Sequence, residues 1–383
     1  MVFKEVIAQF ENMKKLFFVL FLNLAVFQLF GQSLSDINYH YKNLDTTEVK
    51  TLDFRFESMS FFHNTEYMGD IVDGYTWTGA WVRPKLSYTF SEKLKMDVGG
   101  HFLRYHSRDE FTVVRPWFSA QYQMFDKMQV VFGNLNVNNN QGLVKQLWEP
   151  ERMMTDAPRE GVQFLYKSKY IELQNWMGWE QFILRGDPYQ EHFTFGLSGR
   201  GQLFSNSGIK IQVPLQVLVY HRGGEIDSSP LGVITDLNYA TGLETQFNVG
   251  DGFLKNLDLN LHWIGYECPD GPAPYDYKNG HGYSVTLAGD TRLGKFSFDY
   301  WNAYQFIAPY GKRIYMSVSD RDIALSQTDR SQIAFNYMMK QRILKDIEFA
   351  FQGEALYDFL TTKFSFAFGY YLVINQDFLL KRF

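Results

Sequence analysis

The sequence predicts an all-β chain, closed as an antiparallel up-and-down transmembrane barrel of about sixteen strands. Three observations predict it. Apolar and polar residues alternate with a period of two along most of the chain. The connections between the alternating runs are short and long in turn. Aromatic residues reach 18% in a chain that is only 45% hydrophobic, and beyond the first thirty residues no segment approaches the ~18 consecutive apolar residues of a spanning helix.

The N-terminus reads as an export signal. Met13-Lys14-Lys15 precedes an apolar run from Leu16 to Leu22, Asn23, and a second run from Leu24 to Phe27, with Gly31 near the exit. A positive start, an apolar centre and a small-residue end mark a cleaved leader over 1–32, with Met13 as the better initiator. A single membrane anchor would need a longer apolar run. Residues 33–47 follow as a short N-terminal extension, and 48–383 form the barrel.

The expected strands begin with 48–63, 75–90, 94–107, 111–124, 128–134, 161–167, 169–184 and 192–203. They continue with 208–221, 236–248, 257–267, 281–291, 295–306, 329–341, 347–357 and 362–374. In the first, Leu52, Phe54 and Phe56 alternate with Asp53, Arg55 and Glu57; in the second, Val82, Pro84, Leu86, Tyr88 and Phe90 alternate with Arg83, Lys85, Ser87 and Thr89. In 208–221, Ile209, Ile211, Val213, Leu215 and Val217 oppose Lys210, Gln212, Pro214 and Gln216. Leu257, Leu259, Leu261 and Trp263 oppose Asp258, Asn260 and His262. In the last strand Phe364, Phe366, Phe368, Tyr370 and Leu372 oppose Ser365, Ala367 and Gly369. Successive side chains of a strand point to opposite faces, so each strand has one apolar face and one polar or small face.

Every even-numbered connection is compact, and nearly all the long ones are odd-numbered, as short inner turns and longer outer loops require. A secreted β-sandwich also alternates, but it rarely needs strands this long. Aromatics near strand ends fit the interfacial girdles of a membrane barrel: Trp77, Trp81, Tyr88, Phe90, Phe102, Tyr105, Trp263, Tyr266, Phe296, Tyr304 and Phe306. On this pattern residues 48–383 resemble the bacterial outer-membrane β-barrels, specifically the sixteen-strand porin-like group. Such barrels commonly end on an aromatic residue, and this chain ends on Phe383. Asn375-Gln376 looks like a turn, and 377–383 does not alternate cleanly, so the last strand is expected to stop near Ile374.

With the apolar set toward lipid, the other set faces the lumen. The early wall is then basic, with Arg55, Arg83, Lys85, Lys95, His101, Arg115, Arg200 and Lys210. The late wall is acidic, with Glu244, Asp258, Asp299, Glu348 and Glu354. Asp53, Glu57, Asp97, Arg292 and Lys340 are exceptions. These charges either pair into a network that stiffens the interior or set a transverse field across a water-filled pore. Connection 135–160 is the most distinctive segment, with an amphipathic stretch (Leu143, Leu147, Trp148) and the charges Lys145, Glu149, Glu151, Arg152, Asp156, Arg159 and Glu160. Loops this long without structure of their own are usually functional. It is the third outer connection, and the resemblance implies that this loop folds inward as the constriction. Glu149, Glu151 and Asp156 are expected to face Arg83 and Arg115.

Other classes are disfavoured. A formal net charge of −5 with no basic domain leaves no footprint for nucleic acid. The one cysteine, Cys268, rules out a disulfide framework. The histidines are scattered, and no H-E-x-x-H, G-x-S-x-G or phosphate-loop motif occurs, so no enzyme, metal or cofactor is expected. Arg185-Gly186-Asp187 reads as a turn. The implied function is a porin-like channel for small polar or charged solutes. The alternative is a barrel with a filled lumen that serves as a binding or assembly scaffold. The implied partners are outer-membrane lipid, the solutes, and further copies of the chain in a homo-oligomer.

Overall fold

The computed structural model describes residue 44 and residues 48–136, 141–224, 226–270 and 277–383. The expected leader, 1–32, lies outside the described residues, as does most of 33–47.

Sixteen strands close into one antiparallel barrel, each paired with its neighbours in sequence and β1 with β16. The first eight are β1 Thr51–Glu66, β2 Tyr75–Ser91, β3 Leu94–Tyr105, β4 Val113–Phe125, β5 Met128–Asn134, β6 Glu160–Lys167, β7 Ile171–Gln181 and β8 His192–Ser205. The others are β9 Ile209–Arg222, β10 Ile234–Asn248, β11 Leu254–Glu267, β12 Asn279–Thr291, β13 Gly294–Tyr304, β14 Asp329–Leu344, β15 Ile347–Asp358 and β16 Lys363–Arg382. Closure removes the free edges that would otherwise leave backbone polar groups unpaired in lipid.

Register carries the alternation around the wall. Phe54 pairs with Leu86, Leu86 with Val98, and Val98 with Phe118, all on the outward face. The outward set stays exposed and apolar, as at Leu86, Val98, Phe118, Leu215, Leu261, Leu287, Phe298 and Phe366, whereas the inward set is buried over much of the wall, as at Lys85, Asp97, Ser119 and Gln121. No helix among the described residues is long and apolar enough to cross a membrane. The even-numbered connections are tight, such as Glu92–Lys93 and Asp126–Lys127.

Two expectations are corrected. β16 does not stop at Ile374: it runs to Arg382, because β1 supplies partners from Phe366 onward, including Thr51 for Arg382, past one bulge at Leu52/Asp53. The backbone ladder outweighs the weak alternation of 375–382. The girdle is also thinner than the sequence suggests. Trp77, Trp81 and Tyr105 share the inward phase of Arg83 and Lys85, and Trp81 is 3% exposed. Tyr266 also points inward, and Phe306 belongs to a loop inside the lumen. Period-two alternation overrides proximity to a strand end.

β5 and β6 are the shortest strands, with 7 and 8 residues. Above them the wall gives way to the 135–159 connection, and Asn134 Oδ1 takes the Phe118 N–H at 2.7 Å where a ladder bond would otherwise be.

Candidate functional site

Among the described residues two long outer loops fold into the barrel and fill its outer half, joined by Tyr67 and Val72 of the β1–β2 connection. One, described over 135–136 and 141–159, lies between β5 and β6 and carries a 3-10 turn at Pro150–Met154; the other, residues 305–328, connects β13 to β14. Leu143, Leu147 and Trp148 from the first join Phe306, Ile307, Ala308, Ile314, Tyr315, Met316 and Val318 from the second in one apolar cluster. Inward Leu218, Ala240, Ile264, Trp301, Ala334 and Leu356 complete it from the wall.

The loops grip each other directly. The Glu149 N–H donates to the Tyr310 carbonyl at 2.7 Å, and the Lys312 N–H to the Lys145 carbonyl at 2.9 Å. Gly311 permits this approach, since a Cβ there would sit 1.9 Å from the Gln146 carbonyl oxygen. Trp148 stacks on Tyr310, with centroids 5.2 Å apart and 9° between planes. The Arg159 guanidinium lies 4.2 Å from the Trp148 ring, and that of Arg152 lies 4.1 Å from the Tyr310 ring. The result is a cation–aromatic–aromatic–cation stack.

Polar wall residues satisfy the loop backbones. Gln216 Oε1 accepts from the Val144 N–H at 2.8 Å, and Ser198 Oγ donates to the Gly142 carbonyl at 2.8 Å. Asn238 Nδ2 donates to the Ile307 carbonyl at 2.7 Å, Trp301 Nε1 to Tyr315 at 3.0 Å, and Arg330 Nη2 to Ile314 at 3.0 Å. Buried loop carbonyls and amides need such partners.

Ion pairs pin both loops. Glu151 accepts from the Tyr75 hydroxyl at 2.7 Å and lies 3.0 Å from His63 Nε2, while His63 Nδ1 meets the Tyr371 hydroxyl at 2.8 Å. Lys145 pairs with Asp299 at 3.0 Å, and Lys312 with Glu354 at 2.8 Å. Burial, reinforced by Glu151, pushes the Glu149 carboxyl up to about 8. Burial also raises Glu151, but His63 and Lys312 overrule it and hold that carboxyl below the usual range. Burial pulls the Lys145 ammonium down, and Asp299 more than offsets this, leaving it above its ordinary value.

The sequence-derived candidates fall into three groups. Arg55 (with Asp377, 2.8 Å), Lys85 (with Glu57), Arg200 (with Glu244, 2.7 Å), Asp258 (with Lys295, 3.4 Å), Asp299 and Glu354 all face inward in ion pairs. Arg83 also faces inward, donating to His101 at 2.8 Å and lying 4.1 Å from the Trp81 ring. Arg115 shares the inward phase opposite His101 but is exposed, and Lys210 is half-exposed. In the loop, Arg152 pairs with Asp156 at 2.6 Å. The structure does not bring Glu149, Glu151 and Asp156 to Arg83 and Arg115, because His63, Tyr75 and Arg152 are nearer partners. The charges pair locally, between residues on nearby strands or between a loop and the wall it meets. On the side of the chain termini the β8–β13 wall stays open, with Arg200, Lys210, Gln212 and Asp258 half-exposed.

Sequence reasoning missed the second loop and the residues that hold it: Tyr310, Lys312, Tyr315, Trp301 and Arg330. The signal was present. Phe306-Ile307-Ala308 and Ile314-Tyr315-Met316 are too apolar for a loop that stays in water.

A family model described as "Lipid A 3'-O-deacylase-type" matches residues 44–383. The chain belongs to this lipid A 3'-O-deacylase-type family. No curated protein matches the sequence. Among solved structures, the outer membrane protein OprD of Pseudomonas aeruginosa superposes with a TM-score of 0.51 at 8% identity, over 91% of this chain and 98% of that one. A BenF-like porin from Pseudomonas fluorescens Pf-5 gives 0.50 at 8% identity, over 86% of this chain and 100% of that one. At such identity the likeness establishes the barrel fold.

Hydroxyl–imidazole hydrogen bonds occur at several places in the barrel. Tyr371–His63 is sealed inside the lumen. Thr235 Oγ1 meets His221 Nδ1 at 2.9 Å but also donates to Asp270, so its hydroxyl proton is already committed. Thr78 Oγ1 meets His106 Nδ1 at 2.8 Å on the outward face at the outer end of β2, with His106 exposed and Thr78 half-exposed. Thr76, Asn64 and Glu66 form a hydrogen-bonded polar chain beside it on the same face.

Proposed function

We propose that the chain is an outer-membrane channel for small polar or charged solutes, exported through a cleaved leader over 1–32, with 135–160 as its constriction. The observation that carries this reading is the inward fold of 135–159 and its grip on 305–328. Sixteen strands enclose a lumen wide enough for water, and among the described residues inserted loops narrow it from the outer side. Below them the half-exposed Arg200, Lys210 and Asp258 line a hydrated chamber, where a solute would meet paired charges and leave as easily as it enters. The porin likeness supports the same reading. The test is reconstitution into planar bilayers: steady, ion-selective steps are expected. Silence from a correctly folded barrel, at every voltage, overturns the channel and leaves a filled-lumen scaffold that binds or assembles through its outer loops.

A second reading has its own observation, the outward Thr78–His106 pair in a chain of this family. There His106 would take a proton from a water held against Thr78 Oγ1 as that water attacks the ester carbonyl of an acylated lipid. The proton would then pass to the departing sugar oxygen, releasing a fatty acid. Release of fatty acid from an ester-acylated glycolipid, abolished by His106→Gln, is the expected result; no release by the wild-type chain in mixed micelles removes this reading.

A further inference from the structure

The lipid-facing wall is low at β5 and β6. A tilted strand needs about 9–11 residues to cross the hydrocarbon. The flanking strands β4 and β7 have 13 and 11 residues, but β5 and β6 have only 7 and 8. The connection that would carry them further outward turns into the lumen instead. The apolar band is therefore notched on the outer side of this pair. Bilayer around a wall too short for it must thin, unless another protein surface covers the gap.

The face beside the notch carries an independent observation. One outward rung runs through Tyr122, Val130, Phe164, Asn175, Leu197 and Val217, from β4 to β9. Asn175 is thus an amide set among apolar side chains, with Phe164 and Leu197 beside it and Leu173 and Met177 on its own strand. Its Oδ1 has no hydrogen-bond partner among the described residues. Outward Thr241 and Ser58 differ, since they donate to the Pro214 carbonyl at 2.9 Å and the Trp81 carbonyl at 3.0 Å within the sheet. An unpaired amide in hydrocarbon is costly, and acyl chains offer it nothing. Asn175 is half-exposed, so a second protein can reach it. An amide holds donors and an acceptor together, so it is complementary to another copy of itself across a two-fold axis. Copies inserted with the same topology are related by an axis along the membrane normal, which allows this pairing. Gly199 and Gly201 share the outward face of β8 and leave room for close approach.

We propose that the β5–β8 face docks a second copy of this chain, as a two-fold dimer in which the Asn175 amides pair across the axis and each copy covers the notch of the other. The interface lies on the lipid side of the wall and does not depend on whether the lumen conducts.

The experiment places the full chain, with Cys268→Ser and Met177→Cys, in diacyl phosphocholine liposomes at high lipid-to-protein ratio and adds a short bis-maleimide. A covalent dimer on a denaturing gel is expected. Phe298→Cys on β13, also lipid-facing but on a distant part of the wall, should give none. Asn175→Leu suits a lipid-facing position, so heat-modifiable migration should show a folded barrel. In the Met177→Cys background it should weaken association about tenfold, the equivalent of ~1.4 kcal/mol. Shorter acyl chains, which match β5 and β6 better, should also lower the dimer yield. Equal cross-linking at Met177→Cys and Phe298→Cys, no cross-link at either, or a yield indifferent to Asn175→Leu or to acyl length overturns the proposal.

Discussion

Lys312→Met should loosen the inner loop without unfolding the barrel. Lys312 Nζ sits 2.8 Å from Glu354, with side chains 6% and 2% exposed. Removing one member of a buried pair leaves the other charged and desolvated, at a cost of ~3–5 kcal/mol. At ~1.4 kcal/mol per tenfold, the docking equilibrium of 305–328 shifts by roughly a hundredfold to a few thousandfold. The loop also buries Phe306, Ile307, Ile314, Tyr315, Met316 and Val318. Those side chains contribute on the order of 10 kcal/mol before the entropy of ordering the loop is subtracted. The variant should therefore visit an undocked state rather than live in it. Single-channel recordings should show frequent brief steps of larger conductance. A protease that cuts after aromatic residues should nick at Phe306, Tyr310 or Tyr315 faster than in the wild type. Lys312→Met with Glu354→Leu removes both charges and should return most of the docking. Wild-type noise and protease resistance in the single variant would refute the claim that this pair holds the loop.

Charges on the lipid face should destabilise the wall: Val213→Arg or Leu259→Arg should cost ~2–4 kcal/mol and impair assembly, while Gln212→Arg should be mild, as read by heat-modifiable gel migration. Gly311→Leu should force the two loops apart at Gln146 and raise conductance with little change in barrel yield. Deleting Gln141 to Thr155 and rejoining the ends should enlarge conductance and weaken ion selectivity; unchanged conductance from a folded barrel would remove this loop from the pathway. The pH response should have two sides. Glu149 is raised when docked, so its contribution to docking is present below its ordinary value and lost as pH rises through about 8. Glu151 is lowered when docked, so its contribution is present above the ordinary carboxylate value and lost as pH falls through its depressed one. Loop nicking by protease should therefore rise at both extremes, and Glu149→Gln should abolish the alkaline rise alone.

The wall was legible in the sequence because a strand's two faces are set by position alone. Val213 faces lipid and Gln212 faces inward whatever else the chain does. The end of β16 was not legible, since Asp377 and Phe378 owe their strand conformation to Arg55 and Phe54, more than three hundred residues away. The loop pairings failed for the same reason. Glu151 was expected to meet Arg83, but its partners are chosen by where the 3-10 turn at Pro150–Met154 comes to rest, next to His63 and Tyr75.

A barrel this wide has two ways to satisfy a polar inner wall: water, or chain. The outer half uses chain. Gln216, Ser198, Asn238 and Arg330 are polar residues on the inward face, and each is spent on a backbone group of an inserted loop. On the inner side the β8–β13 wall still reaches solvent, with Arg200, Lys210 and Asp258 half-exposed, whereas Arg55 and Lys85 of the β1–β2 wall are buried in ion pairs. An inward polar residue therefore does not identify a pore; the residues that do are those still reaching solvent after the loops are seated. If solutes pass, the rate is set where the two halves meet. That place is the Lys145–Asp299 pair, whose lysine side chain is 24% exposed beneath the plug and whose aspartate is 7% exposed. Asp299 also accepts from Thr286 and Asn336, so the acid is fixed to the wall while Lys145 sits on the inserted loop. Lys145→Gln would keep the length of the side chain and remove the ion pair. Altered ion selectivity in that variant, with Arg55→Gln in the sealed β1 wall left at wild-type values, would locate the constriction at this junction; the reverse pattern would place it among the early basic residues instead.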